Sequence, residues 1–285
     1  MLRHLLLLAC TLPLLAVDAL PPGTTVTDDA VPDTPGVISY TVTSAYQEGA
    51  NKVEVLLPSR LDPAKRYPVV YCLPVNAGTK GDWGHPLTVA QEQGLADRHQ
   101  TILVCPAYHR LPWYGDNPER LDMRQDQYLL DVVMPLIEQR HPAIAAREGR
   151  FLVGFSKSGL GALGLFLKNR DRFAAVAVFE TWHGVPDDKQ WNTWGFAECY
   201  GTRANFDRYD PMHLIPEQAK ELAAEPCRIA VLNGGPGIRV GVEFLLDQLR
   251  DRKIPHTEIR NPFWGHTWTS GWLPFALTAL NPQPR

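Results

Sequence analysis

Ser156 stands in the run Gly154-Phe155-Ser156-Lys157-Ser158-Gly159, between a short apolar segment at 150–154 and a glycine- and alanine-rich helical pattern beginning at Gly159. Where a strand turns sharply into a helix, the residue at the turn projects from the end of the sheet, and a hydroxyl there can act as a nucleophile. Such a turn is tight, so the positions two before and two after the nucleophile must be small. Gly154 and Ser158 meet that condition for Ser156; with Ser158 as nucleophile, Leu160 would occupy the crowded position. An N-cap serine after a strand is the plainer role for this residue, and the strand–turn–helix context favours the nucleophile. A serine hydroxyl reacts slowly without a positioned base. His266, in Gly265-His266-Thr267-Trp268, and His183 are the candidate bases.

The elements that must position these groups are legible as an alternation. Runs at 39–45 and 52–57 alternate in polarity like an antiparallel hairpin. Runs at 67–73, 101–105, 150–154, 174–179 and 228–232 are short, apolar and β-branched, as buried parallel strands are, and a weaker one lies at 257–261. Helical patterns fall between them, at 86–98, 121–141, 157–169, 216–224, 240–252 and 270–280. In the second, Leu129, Val132, Val133, Leu136 and Ile137 recur at helical spacing, and Pro135 must kink or split it. The expected fold is α/β, a doubly wound, mostly parallel sheet of about eight strands with an antiparallel start. Ligands of such sheets bind at the carboxyl ends of the strands.

The turn at 154–159 resembles the G-x-S-x-G nucleophile elbow of α/β-hydrolases, with Ser158 in place of the last glycine. In that fold the chain order is nucleophile, acid, histidine, with the histidine after the last strand, which makes His266 the preferred base and His183 the second; the acid usually follows the strand placed here at 228–232. That strand runs into Asn233-Gly234-Gly235-Pro236-Gly237-Ile238-Arg239, which contains no carboxylate. Glu180, ending the preceding strand, is the favoured acid, and Glu243, within a helical pattern, is the second; a different third member, or a dyad alone, is the remaining alternative. The same likeness implies an oxyanion hole from the backbone N–H of Lys157 and that of Val75 or Asn76, in the loop Pro74-Val75-Asn76-Ala77-Gly78. The aromatic loop at 106–116, with Trp113 and Tyr114, and Trp182 after Glu180, are expected to bind an organic or sugar-like substrate.

The chain is also similar to the esterase D-like branch of α/β-hydrolases, closest to an uncharacterised bacterial subgroup. Leu73-Pro74-Val75-Asn76-Ala77-Gly78, Leu111-Pro112-Trp113-Tyr114 and the 154–159 turn carry the likeness, with weaker support from residues 201–209 and from Gly265-His266. It spans roughly residues 67–272. The likeness implies acyl transfer through a serine acyl-enzyme, with no metal and no organic cofactor, on a small-molecule or carbohydrate ester. A catalytically inactive binding protein of this fold, and an acyltransferase using the same residues, are the alternatives; the acid-free loop motivates the first.

Composition bounds the rest. The chain has 285 residues, 45% of them hydrophobic, and a formal net charge of −3 with both signs scattered. One catalytic domain at 37–285 accommodates this, and no basic stripe suggests nucleic acid. Residues 1–19 read as a secretory signal: Arg3 and His4, an apolar run at 5–17, and Val17-Asp18-Ala19 as the cleavage site. Leu7-Leu8-Ala9-Cys10 looks like a lipobox, but too little apolar chain precedes Cys10. The expectation is therefore a secreted or periplasmic protein with no membrane span after signal removal, preceded by an extended lead-in at 20–36. Four cysteines remain, Cys72, Cys105, Cys199 and Cys227, in no disulfide framework and no metal-ligand spacing.

Overall fold

In a computed structural model, residues 18–29, 36–78, 81, 83–184, 186–234 and 239–283 are described, the last segment without the side chains of 239 and 240. The hydrophobic part of the expected signal segment lies outside them.

The chain opens on three antiparallel strands, β1 (Thr25–Asp28), β2 (Ile38–Ser44) and β3 (Gln47–Leu56). Six strands then run parallel to one another: β4 (Val69–Leu73), β5 (Ile102–Pro106), β6 (Arg150–Phe155), β7 (Ala175–Phe179), β8 (Ile229–Asn233) and β9 (His256–Arg260). Their order in the sheet is β1-β2-β3-β5-β4-β6-β7-β8-β9, with β3 antiparallel to β5. The sheet has nine strands where about eight were expected. The additional one is β1, inside the lead-in, where Thr25-Val26-Thr27 suits a strand but is flanked by Pro and Gly and pairs only at the edge.

Side chains alternate along each central strand and divide between two cores. Val69, Tyr71, Ile102, Val104, Leu152, Val176, Val178 and Val231 face one, beneath helices Lys157–Lys168, Met134–Arg140 and Arg239–Asp251. Val70, Cys72, Leu103, Cys105, Val153, Phe155, Phe179 and Leu232 face the other, beneath Pro86–Glu92 and Leu273–Leu280. Each fully buried aliphatic side chain contributes about 1.5–3 kcal/mol relative to exposure, so the continuous apolar runs that marked these strands are also what fixes them between two helical layers.

Helix boundaries differ from expectation where proline and glycine act. Pro135 cannot donate to the carbonyl one turn back. The expected helix at 121–141 accordingly becomes Gln125–Gln127, a π-helical stretch Tyr128–Val133 and Met134–Arg140, with Pro135 in the first turn of the last. Gly94, at φ +61°, ends one helix and starts Leu95–His99. Asp210 caps Pro211–Glu217 through Met212 N–H, so that helix begins before the expected 216. Three short helices between β7 and β8, Asp188–Thr193, Phe196–Tyr200 and Arg203–Asp207, were not anticipated. They enclose an aromatic cluster of Trp113, Trp191, Phe196, Tyr200 and Phe206 against Leu160.

Candidate active site

The turn after β6 leaves no room for side chains around it. A Cβ on Gly154 would stand 2.2 Å from the carbonyl oxygen of Ser158, which forbids any other residue there. Ser158 is fully buried; its Oγ lies 3.0 Å from the Phe155 N–H and 2.9 Å from the Phe155 carbonyl, clasping the turn. Ser158 is thus a hydrogen-bonded replacement for glycine, small enough to fit and polar enough to bind the backbone. Ser156 itself adopts φ +55° and ψ −123°, a conformation few non-glycine residues hold unless the surroundings impose it. Its backbone N–H donates to the Phe179 carbonyl at 2.9 Å, so the end of β7 pins the nucleophile candidate directly.

That bond also fixes what comes next in β7. Glu180 follows Phe179, takes φ +42°, and donates its N–H to the Leu232 carbonyl at 3.1 Å. The carboxylate is 2% exposed. Its Oε2 lies 2.6 Å from Nδ1 of His266, whose Nε2 lies 3.0 Å from Oγ of Ser156. Three residues separated by 24 and 86 positions are thereby joined in one hydrogen-bonded chain. Glu243 is occupied elsewhere, with its carboxylate on the Arg260 guanidinium at 2.5 and 3.0 Å. His183 is buried with neither ring nitrogen hydrogen-bonded among the described residues, and burial holds it neutral, its pKa pushed down to about 3.

The loop bearing His266 is anchored by a residue 184 positions earlier in the chain. The Trp83 carbonyl accepts from Thr267 Oγ1 at 2.7 Å and from Trp268 N–H at 2.9 Å. The Trp83 indole stands edge-on to the His266 ring at 5.4 Å, and Phe155 packs against that ring at 4.5 Å. Trp83 was not anticipated; the sequence signal was a tryptophan in the glycine-containing run Gly81-Asp82-Trp83-Gly84, just after the loop at 74–78. Trp272 Nε1 donates to the Thr267 carbonyl at 3.0 Å and completes the support.

Lys157 opens the helix Lys157–Lys168, so its N–H has no carbonyl one turn back and is directed out of the helix start beside Ser156. Val75 and Asn76 are half-buried in the loop after β4. Two tyrosines tether that loop: the Tyr114 hydroxyl donates to the Pro74 carbonyl, and Gly78 N–H donates to the Tyr108 carbonyl at 3.1 Å.

This anchoring corrects the expectation for two aromatic residues. Tyr114 is 1% exposed and Trp113 4%. Tyr114 lies against Gly161, where a Cβ would come within 2.0 Å of its ring. Trp113 stacks on Phe196 at 3.9 Å and donates from Nε1 to the Trp194 carbonyl at 2.6 Å. Both are packed behind the cleft and support its loops, rather than offering an open face to a substrate. Trp182 is different. It is half-buried and meets Trp113 and Trp194 edge-on at 6.4 and 6.3 Å, at the border between the aromatic cluster and solvent. The free cysteines Cys72, Cys105 and Cys199 are buried and Cys227 is exposed; burial pushes the Cys72 thiol up to about 12.

A family model described as "Putative esterase" matches residues 44–272, which include every group just described. The chain belongs to this family. It is an ester-hydrolysing enzyme of the α/β-hydrolase fold. Solved structures share that fold across nearly their whole length. A ferulic acid esterase is 19% identical, with a TM-score of 0.65, covering 90% of this chain and 98% of its own. S-formylglutathione hydrolase from Agrobacterium tumefaciens is 18% identical, at 0.66, covering 89% and 98%. The fluorophosphonate-binding serine hydrolase F of Staphylococcus aureus is 16% identical, at 0.69, covering 86% and 98%. Among the described residues, no helix is long and apolar enough to cross a membrane.

Proposed function

We propose that this esterase works through a Ser156 acyl-enzyme, with His266 as general base and Glu180 as the carboxylate that orients it. One observation carries the reading: the unbroken chain from Ser156 Oγ through His266 to Glu180, at 3.0 and 2.6 Å. With Nδ1–H donating to Glu180, Nε2 is left unprotonated and accepts the Ser156 hydroxyl proton. As Oγ attacks the ester carbonyl, His266 becomes imidazolium next to a buried carboxylate, which stabilises that charge. The carbonyl oxygen becomes an oxyanion held by the backbone N–H of Lys157 and by that of Val75 or Asn76. His266 then returns the proton to the departing alcohol. Water, deprotonated by the same nitrogen, attacks the acyl-enzyme and releases the acid.

The substrate in this reading is a small-molecule or carbohydrate ester, with Trp182 and Trp83 flanking the reacting bond. The site of action is the cell exterior or periplasm, on the strength of the N-terminal sequence pattern at 1–19. Hydrolysis of 4-nitrophenyl acetate by the purified chain tests the mechanism. Ser156→Ala and His266→Ala should each lower kcat by roughly 10⁴-fold or more, and retention of more than about a tenth of wild-type kcat in the first variant would remove Ser156 from the role.

A further inference from the structure

Lys157 has a second feature that the acyl-enzyme scheme does not use. The residue is half-buried, yet its Nζ is sealed from solvent and lacks any hydrogen-bond partner among the described residues. The exposed part is therefore stem and backbone, next to Ser156, while the charged head is tucked inside. This reverses the usual behaviour of lysine, which buries its stem and keeps its head in water. Nζ rests over the Trp113 ring, 5.1 Å from the centroid. The titratable group acting on it is Cys199, itself buried and with its thiol pushed up to about 12, so it offers no negative charge. Glu180, the nearest carboxylate in the chain of hydrogen bonds, is committed to His266. Burial lowers the Lys157 pKa from the ordinary lysine value to about 7. Three N–H donors with no acceptor, one residue from the nucleophile, are costly in a protein interior and call for a partner that arrives with the ligand.

We propose that Lys157 Nζ is the retracted counter-ion of a substrate carboxylate: when an ester carrying a free carboxylate binds, the ammonium swings off Trp113 along its exposed stem and pairs with that group. This rests on the Ser156 reading and adds a substrate class to it, esters of dicarboxylic or otherwise anionic acids. The swing exchanges a weak contact with an indole face for a charge-assisted hydrogen bond close to the reacting carbonyl. No covalent step is altered.

The test compares the mono-4-nitrophenyl ester of adipic acid, with one free carboxylate, and 4-nitrophenyl hexanoate, its neutral counterpart. Each rate is corrected for spontaneous hydrolysis. The quantity read is the ratio of kcat/KM for the anionic to the neutral ester within one protein, so that any general loss of activity cancels. A charge-assisted hydrogen bond corresponds to roughly 10- to 100-fold, and the ratio in wild type should exceed that in Lys157→Met by about that factor. Lys157→Gln, with a polar but uncharged head, should show the same collapse and guards against a folding defect peculiar to methionine. An unchanged ratio in both variants, or a wild type that disfavours the anionic ester as strongly as they do, overturns the proposal while leaving Ser156 in place. Failure of wild type to hydrolyse either ester overturns both.

Discussion

A Cβ on Gly234 would stand 2.5 Å from Oε1 of Glu180 and 2.7 Å from the Trp264 carbonyl oxygen. Gly234 lies just after β8, where this fold usually carries its acid, and Glu180 fills the same space from the end of β7. A side chain at 234 would crowd both the Glu180 carboxylate and the Trp264 carbonyl, and the sequence after β8, Gly234-Gly235-Pro236-Gly237, offers no carboxylate of its own.

Gly234→Ala should therefore displace the Glu180 carboxylate and lower kcat by about 10-fold or more, although no proposed reacting group is altered. In a Glu180→Ala background the part of that loss that comes from displacing the carboxylate should vanish, while the contact with the Trp264 carbonyl remains. Steady-state kinetics of the two single variants and the double variant measure this coupling. Additive losses would mean that Gly234 acts only through the Trp264 backbone.

Glu180→Ala alone should reduce kcat by roughly 10³- to 10⁴-fold with little change in KM, since it removes the fixed tautomer of His266 and leaves the pocket intact. Glu243→Ala should leave kcat within about 2-fold, because that carboxylate pairs with Arg260 rather than His266. A reversal of the two effects would transfer the role to Glu243.

The sheet was legible in the sequence because its central strands are buried on both faces, which demands continuous apolar runs that no exposed element needs. The sharp turn at Ser156 was legible because crowding restricts it to small residues at fixed offsets. The sequence left Glu180, Glu243 or no carboxylate as the partner of His266, because the 2.6 Å contact between Glu180 and His266 joins residues 86 positions apart and no local pattern records it. The support of Trp83 for the His266 loop is invisible for the same reason: its carbonyl bonds to a residue 184 positions away. Trp113 and Tyr114 misled because large aromatics at a strand end serve packing as readily as binding, and only burial separates the two. The three helices between β7 and β8 are too short for a periodicity to register, although the Asp187–Gln190 capping box of the first is present in the residues.

Tyr114→Phe removes the hydroxyl that donates to the Pro74 carbonyl while keeping the ring against Gly161. Loss of that buried bond should cost about 1–2 kcal/mol of stability by urea unfolding, and the loosened oxyanion loop should lower kcat several-fold. A stability loss with kcat untouched would confine Tyr114 to the core.

Lys157 ties stability to pH. Its pKa is about 7 in the folded protein and near the ordinary lysine value when unfolded, so between those values the unfolded chain binds the additional proton and folding stability rises with pH. Between about pH 7 and about pH 9, wild type should gain up to about 1.4 kcal/mol per pH unit relative to Lys157→Met. Urea unfolding of the two proteins at matched pH reads the difference. A constant gap would show that the amine stays charged throughout.

The central claim is that Ser156 is an activated nucleophile. Intact-mass measurement of the purified protein after exposure to a fluorophosphonate tests it most directly, alongside Ser156→Ala and Glu180→Ala. One adduct on wild type, none on folded Ser156→Ala and slower labelling of Glu180→Ala are the predicted results. An unlabelled, folded wild type, or equal labelling of Ser156→Ala, would contradict the account.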